Sequence, residues 1–462
     1  MSQKQVHACV LAGISVLVAG TIGIAGAPAP KPKRPAPQMS FIDNGVIKLG
    51  VDLSLGGAIT YLSPSGTDAN LINNADYGRQ IQMSYYSGPN PYIVGTNVPH
   101  EHWKGLGWNP IQTGDVSLTP SKVIAHTNDG KKLYIKCIPM HWPLTNVPGE
   151  CTFESWVELD GPVAHARCRL NNARPDRTQY RGRHQECPAV YVNGPFYRLM
   201  TYSGEQPFSG APLTRIEKKP EEKGPWASWL ATENWAAMVN DQEWGLGVFN
   251  PGAVRFIGGF AGKPGKGGSL DGPTCYIAPI RSEILDYNIQ HDYRYDLVLG
   301  TLADIRKYVY AQPHPTAPPA YRFTNDRQGW YYVNAVDAGW PITGELNITL
   351  AQAGPQLLGP EGFWPAAQAP VLLIEAAAKT TQPNGRIYWR TFEARGFDAK
   401  KSVPFAVTPN GQFHTYRLNL ASQTNYTGII TQLRIDPGCK ANSGDWIRIK
   451  SIQFGSVTSG GK

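Results

Sequence analysis

The chain has 462 residues, with 49 glycines, 39 prolines, only 17% charged residues and a formal net charge of +8. That length makes two large units or three ordinary ones and supplies ample material for a buried core. The positive charge forms no stripe interleaved with aromatics, which excludes nucleic acid as an expected partner, and 13 Trp and 22 Tyr among so many turn formers point to an all-β protein.

Residues 1–27 read as an export signal. Lys4 gives a weak positive start, Ala8 to Ala27 is apolar and uncharged, and Ala25-Gly26-Ala27 is a small-x-small cleavage pattern. Pro28 directly after that site opposes cleavage, and a retained apolar stretch of this length would anchor the chain in a membrane. Otherwise no membrane partner is expected, and the protein is placed outside the cytoplasm. The Pro-rich run in residues 28–40 is a stiff extended tether.

Residues 41–312 read as one large antiparallel β-domain. Short alternating or apolar segments bounded by Gly, Pro, Asn or Asp recur at 46–53, 80–86, 132–138, 153–159, 164–170, 189–192, 236–239, 245–249, 283–287 and 292–299. Only 302–310 has a helical pattern. Pro313 to Pro319 is the clearest internal break, and residues 320–462 carry eight evenly spaced strand candidates, as a β-sandwich of the jelly-roll type needs.

Five segments concentrate side chains suited to chemistry or binding. Arg79 and Gln82, after an Asn/Asp turn, suit sugar hydroxyls or a uronate carboxylate; the alternative is a structural turn. Trp108, Asn109 and Gln112 on a Gly-rich loop offer an indole face and amides to a saccharide, or simply anchor the loop. No metal is expected of the nearby His100, Glu101 and His102, and no cofactor is implied. Arg181, Arg183, His184 and Glu186 fall within six residues, and period two places His184 and Glu186 on one face, where a carboxyl acts as proton donor or orients the imidazole. The plainer alternative is a solvated ion-pair ladder. Glu233 beside Asn234 and Trp235 has the surroundings of a carboxyl with raised pKa. His291 and Tyr293 share a face with Tyr295, as a base for uronate elimination or as an aromatic ladder.

Six cysteines follow Cys9, and an even number in an exported chain permits disulfides. Cys137 with Cys151 and Cys168 with Cys187 are the expected pairs, with Cys439 left free.

The segments Asn410 to Leu420, Ile430 to Pro437 and Trp446 to Ile452 resemble the jelly rolls of carbohydrate-binding modules. The longer part, with its many strands and the polar-aromatic runs Trp108 to Gln112 and Glu233 to Trp235, is similar to the supersandwich of galactose-mutarotase-like proteins, a fold also found in polysaccharide lyases and glycoside hydrolases. The resemblance implies a polysaccharide or oligosaccharide partner. The expectation is glycosidic-bond hydrolysis with Glu186 and Glu233 as carboxyl pair and His184 in proton transfer. The competing expectations are a lyase using His184 or Tyr293 with Arg79, Arg181 or Arg183, and a glycan-binding or structural protein without catalysis.

Overall fold

The computed structural model describes residues 34–222, 224–350, 352–440 and 444–456. The expected export segment, Cys9 and the first residues of the tether lie outside the described residues. The fold is all-β, with neighbouring strands paired antiparallel and one α-helix, Leu302–Ala311, among the described residues.

Two large sheets face each other in the first part. The ten-stranded sheet runs from Met39–Asp43 at one edge through Ile81–Ser84, Arg183–Asn193 and Thr274–Glu283 to Ala227–Leu230. The nine-stranded sheet contains Trp235–Val239, Trp244–Phe249, Gln290–Thr301, Val163–Asn172 and Cys151–Asp160. Period two explains the second sheet. In Cys151–Asp160 the apolar Phe153 and Val157 are buried in the core between the sheets, while Glu158 on the other parity faces solvent and pairs with Lys132. Arg169 sits directly opposite Asp292 on the outer side of the same sheet and holds it with both guanidinium branches at 2.7 and 2.8 Å. The helix covers part of that outer side, packing Leu302, Ile305 and Val309 on Trp235 and Val298.

Strands of the ten-stranded sheet behave differently. Ile81–Ser84 is buried at every position and Thr274–Glu283 at most of them, so both faces of this sheet are covered over its middle. Thr274–Glu283 escapes a pattern search, which assigns a strand to 283–287 instead, because a strand covered on both faces does not alternate and Pro279 interrupts it.

Two six-stranded sheets form the second part, around their own core of Trp330, Leu346, Ile374, Trp389 and Ile449. The first strand of this part, Tyr321–Arg322, is short, because the chain then turns through Asp326 with Gln328 and Gly329 at positive φ. Trp330, Trp364 and Trp389 are buried in this core, and the partly buried Trp340 packs against the first core.

The parts are joined by buried polar contacts. Arg327 holds Asp286 at 2.6 Å and grips Asp337 at 2.6 Å from both Nε and Nη2, while the Gln179 amide donates to both carboxylates at 3.0 and 2.7 Å. Arg255 makes a bidentate pair with Glu361. Ile284, between two strand ends of the first part, belongs to the second core.

The disulfide expectation is corrected: all six cysteines of the described residues are unbonded and buried. Strand register is the reason, since Cys137 stands opposite Phe153 and Cys151 opposite Asn172. Burial raises their pKa values, to about 12 for Cys168 and Cys275. We expect these thiols to resist alkylation at pH 8 in the folded protein and to react once it is unfolded, as mapped peptide by peptide.

Candidate functional site

The outer face of the ten-stranded sheet gathers the strongest set of functional groups. Residues directly opposite each other on antiparallel strands share a face, and the register therefore lines up Ser84, Glu186, Ile280 and Arg255 in one row across four strands. Tyr191, Tyr276 and Gly259 form a second row. His184 faces Ser282. Inward-facing Cys187 and Val190 are in the core on the other side.

Glu186 is buried against this face. The Tyr276 hydroxyl donates to it at 2.7 Å, with the Tyr86 and Ser84 hydroxyls also in bonding reach. Desolvation raises its pKa above the usual glutamate value, and the three hydroxyls only partly offset that. The Tyr191 ring stacks on Tyr276 at 4.5 Å and the Trp226 indole leans on the same ring at 5.0 Å. Gly259 makes room for the indole, since a Cβ there would meet it at 3.1 Å. Tyr191 and Trp226 are only partly buried. The result is a carboxyl biased toward its protonated form beside open aromatic surface, chemistry suited to proton donation onto a stacked sugar.

Two arginines near this face are held by other parts of the chain. The Arg183 guanidinium lies over the Tyr86 ring at 5.8 Å and donates to the Leu106 carbonyl at 2.6 Å, which ties the 87–107 loop to the sheet. Arg79 is held by Asp76 at 3.1 Å and by the Gly272 carbonyl at 2.7 Å. The His184 ring keeps an open face. Partial desolvation, with Arg255, Arg183 and Arg390 nearby, holds its pKa below the usual histidine value despite Glu361. His184 and Glu186 share a face but make no hydrogen bond to each other. Arg181 is exposed at the strand's entry.

The other expected residues lie elsewhere. Gln82 is buried, with its amide donating to the Tyr77 and Arg79 carbonyls and accepting from Thr113. Trp108 is fully buried and donates to Glu150, which His141 and Tyr92 also bond. Burial acts to raise the Glu150 pKa, and His141 and Tyr92 hold it at about 2. Asn109 and Gln112 spend their amides on backbone groups of Tyr85, Met83 and Gly56. These three residues fasten the loop from within. His291 and Tyr293 are in the core between the sheets, His291 edge-on to Tyr85 at 5.8 Å.

Glu233 belongs to a different layer from Glu186, beneath the helix. One oxygen accepts from the Phe208 amide at 2.9 Å, Arg306 at 3.1 Å and the Tyr310 hydroxyl at 2.7 Å; the other accepts from the Trp235 indole at 3.0 Å. The structure therefore does not assemble Glu186 and Glu233 as a pair flanking a bond. A Glu233→Gln chain is expected to lose about 1–3 kcal/mol of stability, because an amide NH₂ replaces an acceptor among donors; a urea titration reads it. Asn234, next in the chain, has φ of 63° and lines a cavity of about 660 Å³ between the two parts.

Sequence reasoning passed over Tyr191, Tyr276, Trp226, Arg255 and Glu361. For Tyr276 a signal exists, since Cys275-Tyr276-Ile277-Ala278 continues into Pro279 and Arg281 with one large polar-tipped ring facing out. Nothing local marks Arg255 and Glu361, 106 residues apart.

No protein-family profile matches the chain, and no curated protein sequence does. Among solved structures it is similar to a galactose mutarotase related enzyme from Lactobacillus acidophilus, at 12% identity over 57% of this chain and 97% of that one, with a TM-score of 0.38. It is also similar to a galactose mutarotase-like protein from Lactobacillus casei ATCC 334, at 11% identity over 57% and 100% of the two chains (TM-score 0.36). A 4-alpha-glucanotransferase from Thermococcus litoralis aligns at 12% identity over 58% of this chain and 40% of its own (TM-score 0.30).

Proposed function

We propose that the protein is a carbohydrate-active enzyme acting outside the cytoplasm, and that its substrate is a glycan lying on the outer face of the ten-stranded sheet. Glu186 is its general acid: protonated, it donates to the glycosidic oxygen of a sugar whose apolar face stacks on Tyr191 and Trp226. The observation that carries this reading is a buried carboxyl, bonded by the Tyr276 hydroxyl at 2.7 Å, set within an aromatic group that stays partly open; burial raises its pKa. Its hydrogen-bonding partners are the hydroxyls of Tyr276, Tyr86 and Ser84, and Glu233 is not among them. The N-terminal sequence supports export.

The test incubates the purified protein and its Glu186→Gln variant with a panel of neutral and uronic-acid polysaccharides. New reducing ends without ultraviolet-absorbing products mean hydrolysis, and both signals together mean elimination. Turnover that is the same in the variant removes Glu186 from the chemistry, and glycan retention with no product makes the protein a binder.

A further inference from the structure

The 660 Å³ cavity between the two parts is of the size that small-molecule sites have. Its walls include residues 205–208, Asn234, residues 251–254 and the end of Thr274–Glu283 from the first part, residues 314–319 of the Pro-rich link, and residues 328–329 and 360–368 of the second part. It continues the row described above, since Ile280, a wall residue, stands directly opposite Glu186. The far wall carries Glu361, which grips Arg255 in the same row.

The lining indicates what fits. Phe208 is stacked on the His314 ring at 4.0 Å with a 16° tilt, and Phe363 faces in from the second part; both phenylalanines are partly exposed. Ser282 and Gln368 add a hydroxyl and an amide, while the Asn234 amide nitrogen is spent on the Ala253 carbonyl at 2.9 Å. The charged walls are already neutralised within the protein, Arg281 by Glu283 at 3.1 Å and Glu361 by Arg255. Glu205 at the rim is an exposed carboxylate that disfavours anions. Aromatic faces next to an amide and a hydroxyl, with Arg281 already paired, match an uncharged saccharide.

We infer that this cavity is a binding site for the neutral sugar units that flank the reacting unit, built jointly by both parts of the chain. The second part is then a wall of the substrate site. This rests on the reading of the outer sheet face as a sugar site, because Ile280 is what joins the two.

Titration calorimetry on the full chain carrying Glu186→Gln, with maltohexaose, cellohexaose and xylohexaose and then with glucose and xylose, tests it. In that background Ala317→Trp fills the cavity from an exposed link position, and the double variant Phe363→Ala, Gln368→Ala strips its wall. At least one hexasaccharide is expected to bind, and both changes should weaken it about tenfold, the worth of one lost stacking contact. Monosaccharide affinity should not move. Hexasaccharide affinity unaltered by Ala317→Trp overturns the inference, as does a parent chain that binds no hexasaccharide. Unaltered affinity together with turnover lost in Glu186→Gln refutes the cavity alone; cavity-dependent affinity with turnover kept in Glu186→Gln refutes the catalytic reading alone.

Discussion

Arg327→Met is expected to lose about 3–5 kcal/mol of stability at neutral pH, read as a shift of the urea midpoint, because it leaves the Asp286 and Asp337 carboxylates buried without their cation. The pH dependence should change with it. Burial acts to raise the Asp337 pKa, but the hydrogen bonds and charge of Arg327 outweigh it and hold the pKa below the ordinary aspartate value of 3.8. In the native chain this group therefore contributes stability that is complete above 3.8 and lost as pH falls through the lowered folded value. In the variant burial is opposed only by the Gln179 and Gly339 hydrogen bonds, so protonation relieves the strain of a charge without its cation. The gap between the two proteins should narrow in acid, and a gap constant from pH 7 to pH 3 would show that the charges do not carry the effect.

Glu186→Gln is expected to lower turnover by about 10²–10⁴, the usual worth of a positioned acid, while leaving the fold intact. Its stability should move in the opposite direction to its activity. The folded pKa is raised above the ordinary 4.5, so the native state holds the proton longer than the unfolded chain does. Stability then falls as pH rises from 4.5 through the folded value. Glutamine is neutral at every pH and abolishes that fall. The variant should be at least as stable as the parent at pH 7, with each 1 kcal/mol regained worth roughly 2–4 °C in Tm. A variant less stable at pH 7 would show the carboxyl to be structural.

Much of the fold is legible in the sequence where one face of a strand meets solvent. Cys151–Asp160 and Val163–Asn172 alternate and declare themselves, as does the Asn240 turn between Trp235–Val239 and Trp244–Phe249. Thr274–Glu283 does not, because its residues are buried at most positions of either parity, and it carries Tyr276 and Ile280 of the candidate site. Glu186 and His184 are visible as a local cluster, and the structure keeps them on one face. Glu233 looks equivalent in sequence, a carboxylate beside an indole. Only the arrival of Arg306 and Tyr310 from a helix more than 70 residues away shows that its lone pairs are occupied. Local context reveals a residue's type of neighbour, and long-range pairing decides whether any bonding capacity is left for a substrate.

Ile284 has a consequence for anyone cutting this chain into pieces. The Pro313–Pro319 link invites a break, yet a fragment beginning at residue 320 would leave behind an isoleucine of its own core and both of the first-part groups, Asp286 and Gln179, that Arg327 and Asp337 contact. Such a fragment would carry an apolar hole and stranded charges at its broken surface. Transplanting this C-terminal portion onto another enzyme therefore requires a host surface that supplies a matching aliphatic plug and acid, and shuffling at the proline link without one should yield aggregates.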